Sequence, residues 1–269
     1  MSTHPYRILA MDGGGVRGII TVVWLQRLEL HIGAPIHETF DLILGTGVGA
    51  ILGFALGLGI SPTAMRGMWE RCARTAFATA YKPGSESKGL IAMLREVFGD
   101  NRIHDLKTPT IGIAFDSEAQ SMIALPSRFT SPDLPIWQVV DAATAYPLYV
   151  DPFAGGPSQM PFRQDAEGDF VIASFGTGRV DGLDTASAVF GERSMVLRQF
   201  LGQEIPGITL DARFPSRNYW RFQTSVPARI SYIDGIENID ELQAIASAQL
   251  ADGTDATLHA LATRLRGRA

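Results

Sequence analysis

An uncharged, glycine-spaced stretch constrains the fold of this chain more than any other feature. Residues 42–65 carry no charged side chain, and glycine recurs at positions 45, 49, 53 and 57. Glycines four residues apart share one helix face and allow close backbone approach, as in some membrane helices. Because so many glycines would destabilise an isolated helix, we favour a buried strand over 40–44, a tight turn, and a buried helix over 48–58 instead of a membrane span.

The remaining apolar segments alternate between strand-like and helix-like patterns. Further strands are predicted over 6–11, 110–115, 121–125, 170–175 and 220–224, and further helices over 19–30, 61–75, 90–98, 136–145 and from 240 onward. This alternation is typical of an α/β fold with a mostly parallel sheet flanked by helices on both faces, a three-layer α/β/α arrangement. The length of 269 residues fits a single domain over 1–269.

Composition excludes several classes of protein. Hydrophobic residues make up 46% of the chain, which argues against disorder, and a net charge of -5 argues against nucleic-acid partners. The single cysteine, Cys72, excludes an internal disulfide and favours simple packing. Arg7 and Asp12 interrupt the apolar core that a signal peptide needs, so a cytoplasmic location is expected.

A glycine-rich segment after the first predicted strand is the first candidate site. We call residues 12–18 (DGGGVRG) the glycine loop. Its glycines allow a ligand to approach the backbone, and the helix that follows supplies unpaired N–H donors. An oxyanion, a phosphate or a carboxylate would suit such a loop. The candidate anion-binding residues are Gly13, Gly14, Gly15, Val16, Arg17 and Gly18.

A second glycine-rich turn follows the second predicted strand. We call residues 45–49 (GTGVG) the elbow turn; Gly45, Thr46 and Gly49 surround the central Gly47. A strand, sharp turn and helix is the setting of a G-x-S-x-G nucleophile elbow, in which a serine hydroxyl is presented above the sheet. Here glycine occupies the serine position, so the turn carries no nucleophilic atom. We do not expect Thr46 to replace it.

The same turn has an alternative interpretation. The pattern Gly45-x-Gly47-x-x-Ala50 between a strand and a helix also matches a dinucleotide fingerprint. That interpretation requires an acidic residue at the end of the next strand. The acidic residue at the required distance, Glu70, lies in a predicted helix, and the glycine loop would remain unexplained.

Together the two turns resemble the patatin-like phospholipase family, which has a D-G-G-G-x-R-G loop, a G-x-S-x-G elbow and a later D-G-G or D-G-A motif. Segments 142–147 (AATAYP), 175–178 (FGTG), 219–222 (YWRF) and 236–242 are also similar to family segments, so the resemblance covers about 6–250. In that family a serine attacks an acyl ester, an aspartate activates it, and the loop amides stabilise the oxyanion. No metal or cofactor is implied.

This chain departs from the family at both catalytic positions. The nucleophile position is Gly47, and the dyad aspartate is replaced by Ala154, which precedes two retained glycines. Asp151 and Asp165 are nearby carboxylates that could serve instead. The resemblance therefore implies a pseudoenzyme: a lipid acyl hydrolase scaffold that is inactive by the family mechanism. A lipid acyl or phosphate group is the expected partner at the loop.

The C-terminal segment 257–268 places three leucines on one helical face and arginines at its end. Packing of Leu258, Leu261 and Leu265 against the domain is the favoured interpretation, and peripheral contact with a membrane surface is the alternative. The five histidines lie outside the motifs and are expected to be packing or surface residues.

Overall fold

The computed structural model describes residues 5–78, 88–116, 121–126, 132–144, 170–180, 218–232 and 234–267. Eight strands lie in these ranges: β1 (Tyr6–Met11), β2 (Leu42–Thr46), β3 (Thr110–Asp116), β4 (Ser121–Leu125), β5 (Phe170–Phe175), β6 (Arg179–Val180), β7 (Tyr219–Phe222) and β8 (Ser225–Val226). Six of them form one sheet in the order β4-β3-β2-β1-β5-β7, and β6 pairs with β8 separately.

The large sheet is parallel apart from one edge strand. The β1–β2, β1–β5, β2–β3 and β5–β7 pairs are parallel, and the β3–β4 pair is antiparallel. β1 lies inside the sheet, and the strand order runs to β2 on one side and to β5 on the other. The predicted α/β class with a mostly parallel sheet is confirmed.

Helices connect and flank the strands. They are α1 (Gly18–Ile32), α2 (Ile36–Thr39), α3 (Val48–Gly57), α4 (Pro62–Ala78), α5 (Lys88–Phe98), α6 (Ile136–Thr144), α7 (Ile239–Gln249) and α8 (Asp255–Leu265). The predicted start of α4 is confirmed, because the Ala64 N–H donates to Ser61 Oγ at 3.2 Å. α1 ends at Gly33, which takes a left-handed conformation with φ 73°.

Two predicted strand boundaries are wrong. β2 lies two residues later than the predicted 40–44, because the short helix α2 ends with Phe40 N–H donating to Ile36 O at 3.2 Å. The strand predicted over 220–224 begins and ends earlier, at Tyr219–Phe222. The helices predicted from 240 onward are confirmed as α7 and α8, which are separated where Gly253 has φ 98°.

The glycines of the uncharged stretch bring α3 directly onto the sheet. A Cβ on Gly49 would lie 2.3 Å from Met11 O, and one on Gly57 would lie 2.3 Å from Thr110 Oγ1. A Cβ on Gly53 would lie 3.3 Å from the side chain of Ile43. These are contacts with strands of the same molecule, as the strand, turn and buried helix interpretation predicts. Within the described ranges, no helix has the length and apolar content to cross a membrane.

The two faces of the sheet bury different side chains. Leu9, Met11 and Ile43 face the main core, which the helices complete. Ile8, Ile172 and Tyr219 form a separate cluster with the alternate residues of the same strands. Since both faces are apolar and buried, the sheet is consistent with the middle layer of a three-layer α/β/α fold.

The C-terminal helix α8 packs against α1. Its residues Leu258, Leu261 and Leu265 are buried in the main core, as the packing interpretation predicts. Asp255 accepts from Arg27 Nε at 2.5 Å and lies 2.6 Å from His31 Nε2. Hydrogen bonds, first from Arg27 and then from His31, hold the pKa of the Asp255 carboxyl well below its usual value. This contact fixes the start of α8 on the domain.

A matched pair of glycine substitutions tests the close approach of α3. We expect Gly49→Ala to lower the free energy of unfolding by about 2–4 kcal/mol, because its Cβ would overlap the backbone of β1. The control is Gly67→Ala in the exposed part of α4, where the new Cβ meets no atom within 4 Å. That change should stabilise the protein by about 0.5–1 kcal/mol. Urea unfolding measures both values, and a neutral Gly49→Ala would contradict this packing.

Candidate active site

The two glycine-rich turns meet at the carboxyl edge of the sheet. The glycine loop follows β1, the elbow turn includes the end of β2, and residues 176–178 follow β5. Ligands of open α/β sheets bind outside the carboxyl ends of the strands, where the strand order reverses. This edge is therefore the candidate site.

The glycine loop is held by the turn after β5. Thr177 Oγ1 donates to Gly13 O at 2.6 Å, and Asp12 N–H donates to Phe175 O at 2.9 Å. A Cβ on Gly14 would lie 2.1 Å from Thr177 Oγ1, so no larger residue fits there. Gly15, with φ 58°, begins a 3-10 turn that leads into α1. The loop is thus fixed before any ligand binds.

The amide groups of this loop remain available to a ligand. Among the residues that the structure describes, the N–H groups of residues 13–16 have no hydrogen-bond partner. The next two amides are satisfied, because Arg17 N–H donates to Gly14 O at 3.2 Å and Gly18 N–H donates within the 3-10 turn. Four successive free donors at a helix start form a site for an anion.

Arg17 adds a buried positive charge to the glycine loop. Its side chain is 3% exposed, and it donates to Gly14 O and Gly178 O at 3.4 Å each. Burial lowers the pKa of Arg17 to about 10. No carboxylate in the described part of the chain pairs with it. Because a buried cation without a counter-ion is costly, an anion at the loop would be favoured by this charge.

The elbow turn has the strained backbone that its sequence predicts. Gly47 has φ 55° and ψ -126°, a conformation that side-chain-bearing residues rarely adopt. A Cβ at this position would meet only Gly13 Cα, at an ordinary contact distance of 3.5 Å. A side chain at position 47 would therefore have room, and it would begin beside the glycine loop. Gly47 thus has the positive φ expected for the central residue of an elbow, without a side chain.

The flanking glycines of the elbow are required by packing. A Cβ on Gly45 would lie 2.1 Å from Gly49 O, and one on Gly49 would lie 2.3 Å from Met11 O and 2.8 Å from Asp12 O. These contacts bring the elbow turn against the first residue of the glycine loop. Thr46 is exposed at the end of β2.

The end of α6 contacts the elbow turn. Gly47 N–H donates to Ala143 O at 3.1 Å, which brings the start of the AATAYP segment to the candidate site. Two residues earlier, Asp141 has a buried Oδ1 without a hydrogen-bond partner among the described residues, and burial raises the pKa of this carboxyl. The proposed dyad position Ala154 and the alternatives Asp151 and Asp165 lie outside the described residues.

An ion pair near the site was missed by sequence reasoning. Arg221 Nη1 on β7 donates to Asp12 Oδ1 at 3.2 Å and to Ser174 Oγ at 2.7 Å, and its Nη2 also pairs with Asp12. Thr177 was likewise given no role. Both residues lie in segments that resemble family motifs, and this resemblance was the one sequence feature that could have marked them. Their contacts with the glycine loop become visible only in the structure.

The structure does not support the two other kinds of site that were considered, a dinucleotide site and a metal site. Glu70, the acidic residue weighed for the dinucleotide interpretation, lies on α4 and is not at the end of a strand. In the described ranges, no three His, Cys, Asp or Glu side chains are grouped so that they could hold a metal ion.

The fold is α/β, and at the carboxyl edge of its sheet the turn at Gly47 lies beside the glycine loop at Gly13. The chain belongs to the patatin-like phospholipase family, whose family model matches residues 9–182. It is 25% identical over 293 residues to calcium-independent phospholipase A2-gamma of Mus musculus, a match covering 88% of this chain and 37% of that protein. It is 34% identical over 112 residues to cGAMP-activated phospholipase of Pseudomonas aeruginosa, covering 38% and 34%.

A comparison of structures matches the crystal structure of the type III effector protein ExoU with a TM-score of 0.46 and 12% identity. That match covers 98% of this chain and 54% of ExoU. The chain spans about a third of the length of each of the two phospholipases.

Substitution of Gly47 tests the strain in the elbow turn. We expect Gly47→Ser to lower the free energy of unfolding by about 0–2 kcal/mol, because strain of about 1–3 kcal/mol outweighs the entropy that glycine loses on folding. Gly99→Ser is a matched control, since Gly99 has φ 53° and open space but lies at the end of α5. Urea unfolding of both variants measures the cost. A higher unfolding midpoint for Gly47→Ser, with a clear loss for Gly99→Ser, would contradict strain at position 47.

Proposed function

We propose that this chain binds acyl-ester or phosphate groups of lipids at the glycine loop without hydrolysing them by the serine mechanism of its family. The observation that carries the proposal is Gly47, which holds an elbow conformation beside Gly13 and supplies no hydroxyl. We also propose that residues 1–269 form one domain, because the main core of the described residues includes side chains from Leu9 to Leu265.

The groups that would bind the anion are the amides of the glycine loop and the side chain of Arg17. The amides of residues 13–16, which have no partner within the described ranges, and the buried guanidinium of Arg17 form a preorganised positive site. Such donors stabilise negative charge on a carbonyl or phosphoryl oxygen without reorganisation. They depend on the backbone and on Arg17, so the absence of a serine leaves them unchanged.

The sequence lacks the nucleophile and the acid at the two positions where the family has its catalytic dyad. Hydrolysis in this family needs a nucleophile at the elbow and a carboxylate that activates it. Position 47 is glycine, and the aligned acid position is Ala154. A lipid headgroup or ester would then remain bound as an intact ligand, consistent with a sensor or scaffold role at a membrane surface.

The first prediction concerns hydrolysis by the unchanged chain. We expect negligible turnover of p-nitrophenyl esters and phospholipids, because loss of a catalytic serine removes an effect of about 10⁶-fold. A p-nitrophenyl ester assay on the purified protein measures this. Turnover near an ordinary enzyme value of about 10 s⁻¹ that co-elutes with the protein would contradict the proposal.

The second prediction concerns restoration of activity. We expect the double change Gly47→Ser with Ala154→Asp to produce measurable ester hydrolysis, and each single change to produce little, because the two groups act as a unit. The matched control is Gly47→Ala with Ala154→Asp, which places a Cβ at the same strained position but supplies no hydroxyl, and it should stay inactive. Full activity from Gly47→Ser alone would show that another carboxylate, such as Asp151 or Asp165, activates position 47.

A further inference from the structure

The hydroxyl of Thr177 fixes the orientation of one peptide plane in the glycine loop. Thr177 is 3% exposed, and its Oγ1 donates to Gly13 O at 2.6 Å. Because a peptide is planar and trans, the carbonyl of Gly13 and the N–H of Gly14 point in opposite directions. The Gly14 N–H therefore points away from Thr177, and it has no partner among the described residues. Thr177 thus sets the direction of a candidate anion donor from the opposite side of the peptide.

This peptide needs a contact from outside the loop to hold its orientation. It joins two glycines, which adopt many backbone conformations, so its plane can turn over at little steric cost. A turned peptide would present the Gly13 carbonyl in place of the Gly14 N–H, and the partial negative charge of a carbonyl oxygen repels an anion. The next peptide is held within the loop itself, because Gly14 O accepts from Arg17 N–H at 3.2 Å. The contact that holds the Gly13–Gly14 peptide comes from a residue 164 positions away.

The turn that carries Thr177 is itself held on both sides of that residue. Thr21 Oγ1 on α1 donates to Gly176 O at 3.2 Å. Gly178 N–H donates to Gln223 Oε1 at 2.8 Å. With the backbone tied before and after Thr177, its hydroxyl has a fixed position relative to the glycine loop. A loop that is held in this way binds an anion without first reorienting its amides.

We propose that Thr177 is a positioning residue of the anion site, which orients the Gly14 N–H toward a bound phosphate through its hydrogen bond to Gly13 O. It acts through the peptide and does not contact the ligand. This inference rests on the proposed function for its ligand, and it makes binding depend on a residue outside both the glycine loop and the elbow turn. Loss of the hydroxyl should lower the affinity for the anion, because the Gly13–Gly14 peptide could then turn over.

Substitutions separate the hydroxyl of Thr177 from the packing of its side chain. We expect Thr177→Val, which has no donor, to weaken binding of inorganic phosphate about 3- to 10-fold, the effect of one hydrogen bond. Thr177→Ser keeps the donor and should restore the affinity of the unchanged chain. The matched control is Thr21→Val, which removes another buried hydroxyl from the same turn without contacting the glycine loop, and it should leave the affinity unchanged. NMR titration of the Gly15 and Val16 amides measures the Kd of each variant.

The protein without ligand tests the same contact independently of the proposed function. The carbonyl carbon chemical shift of Gly13 should change in Thr177→Val and return in Thr177→Ser, because only the first variant removes the donor. If the unchanged chain shows no saturable phosphate binding, the proposed function is contradicted, and this chemical shift still decides whether Thr177 holds the peptide. If Thr177→Val does not fold, Thr177→Ala removes the same hydroxyl with a smaller side chain and takes its place.

Four results would overturn the proposal. They are phosphate binding by Thr177→Val as tight as that of the unchanged chain, equal weakening in Thr177→Ser, equal weakening in Thr21→Val, and a Gly13 carbonyl shift that is the same in Thr177→Val as in the unchanged chain. The second and third results would show that packing of the turn, and not the hydroxyl, determines the affinity.

Discussion

The contact between the start of α3 and the end of β1 is the constraint on which the rest of the site depends. The α-carbon of Gly49 lies against the backbone at Met11 and Asp12, with no space for a side chain. This approach sets the position of the elbow turn relative to the glycine loop. It also explains why the glycines on either side of position 47 are needed even where no reaction takes place. Packing, and not catalysis, is sufficient reason for this sequence pattern.

The electrostatics of the site follow from the same arrangement. In the described structure, the glycine loop leaves four amides without partners, and the buried Arg17 has no carboxylate partner. Asp12, the acidic residue of the loop, is paired instead with Arg221 on β7. Since its charge is compensated there, the loop keeps a net positive character. The features that stabilise an oxyanion in a hydrolase therefore also make a binding site for a stable anion.

Much of this architecture could be predicted from the sequence because it depends on local patterns. The glycine spacing of α3, the Ser61 cap of α4 and the alternation of strands and helices all have short-range causes. The conformation of Gly47 was also predictable, since the flanking pattern fixes the turn.

Other features depend on tertiary pairing and could not be predicted. The register of β2 is set by its pairing with β1 and by the preceding helix α2. The link from Arg221 to Asp12 joins residues 209 positions apart, and the Thr177 contact joins residues 164 positions apart. Neither leaves a spacing signal in a single sequence. The burial of Arg17 likewise follows from contacts that only the assembled sheet provides.

Amide NMR of the unchanged chain, titrated with inorganic phosphate and with ethyl butyrate, measures whether the glycine loop binds an anion and whether an ester is hydrolysed there. We expect saturable shifts of the Gly14, Gly15 and Val16 amides with phosphate, loss of these shifts in Arg17→Met, and ethyl butyrate that stays unhydrolysed. Saturable shifts confined to other parts of the chain, with these three amides unmoved at saturation, would contradict this expectation.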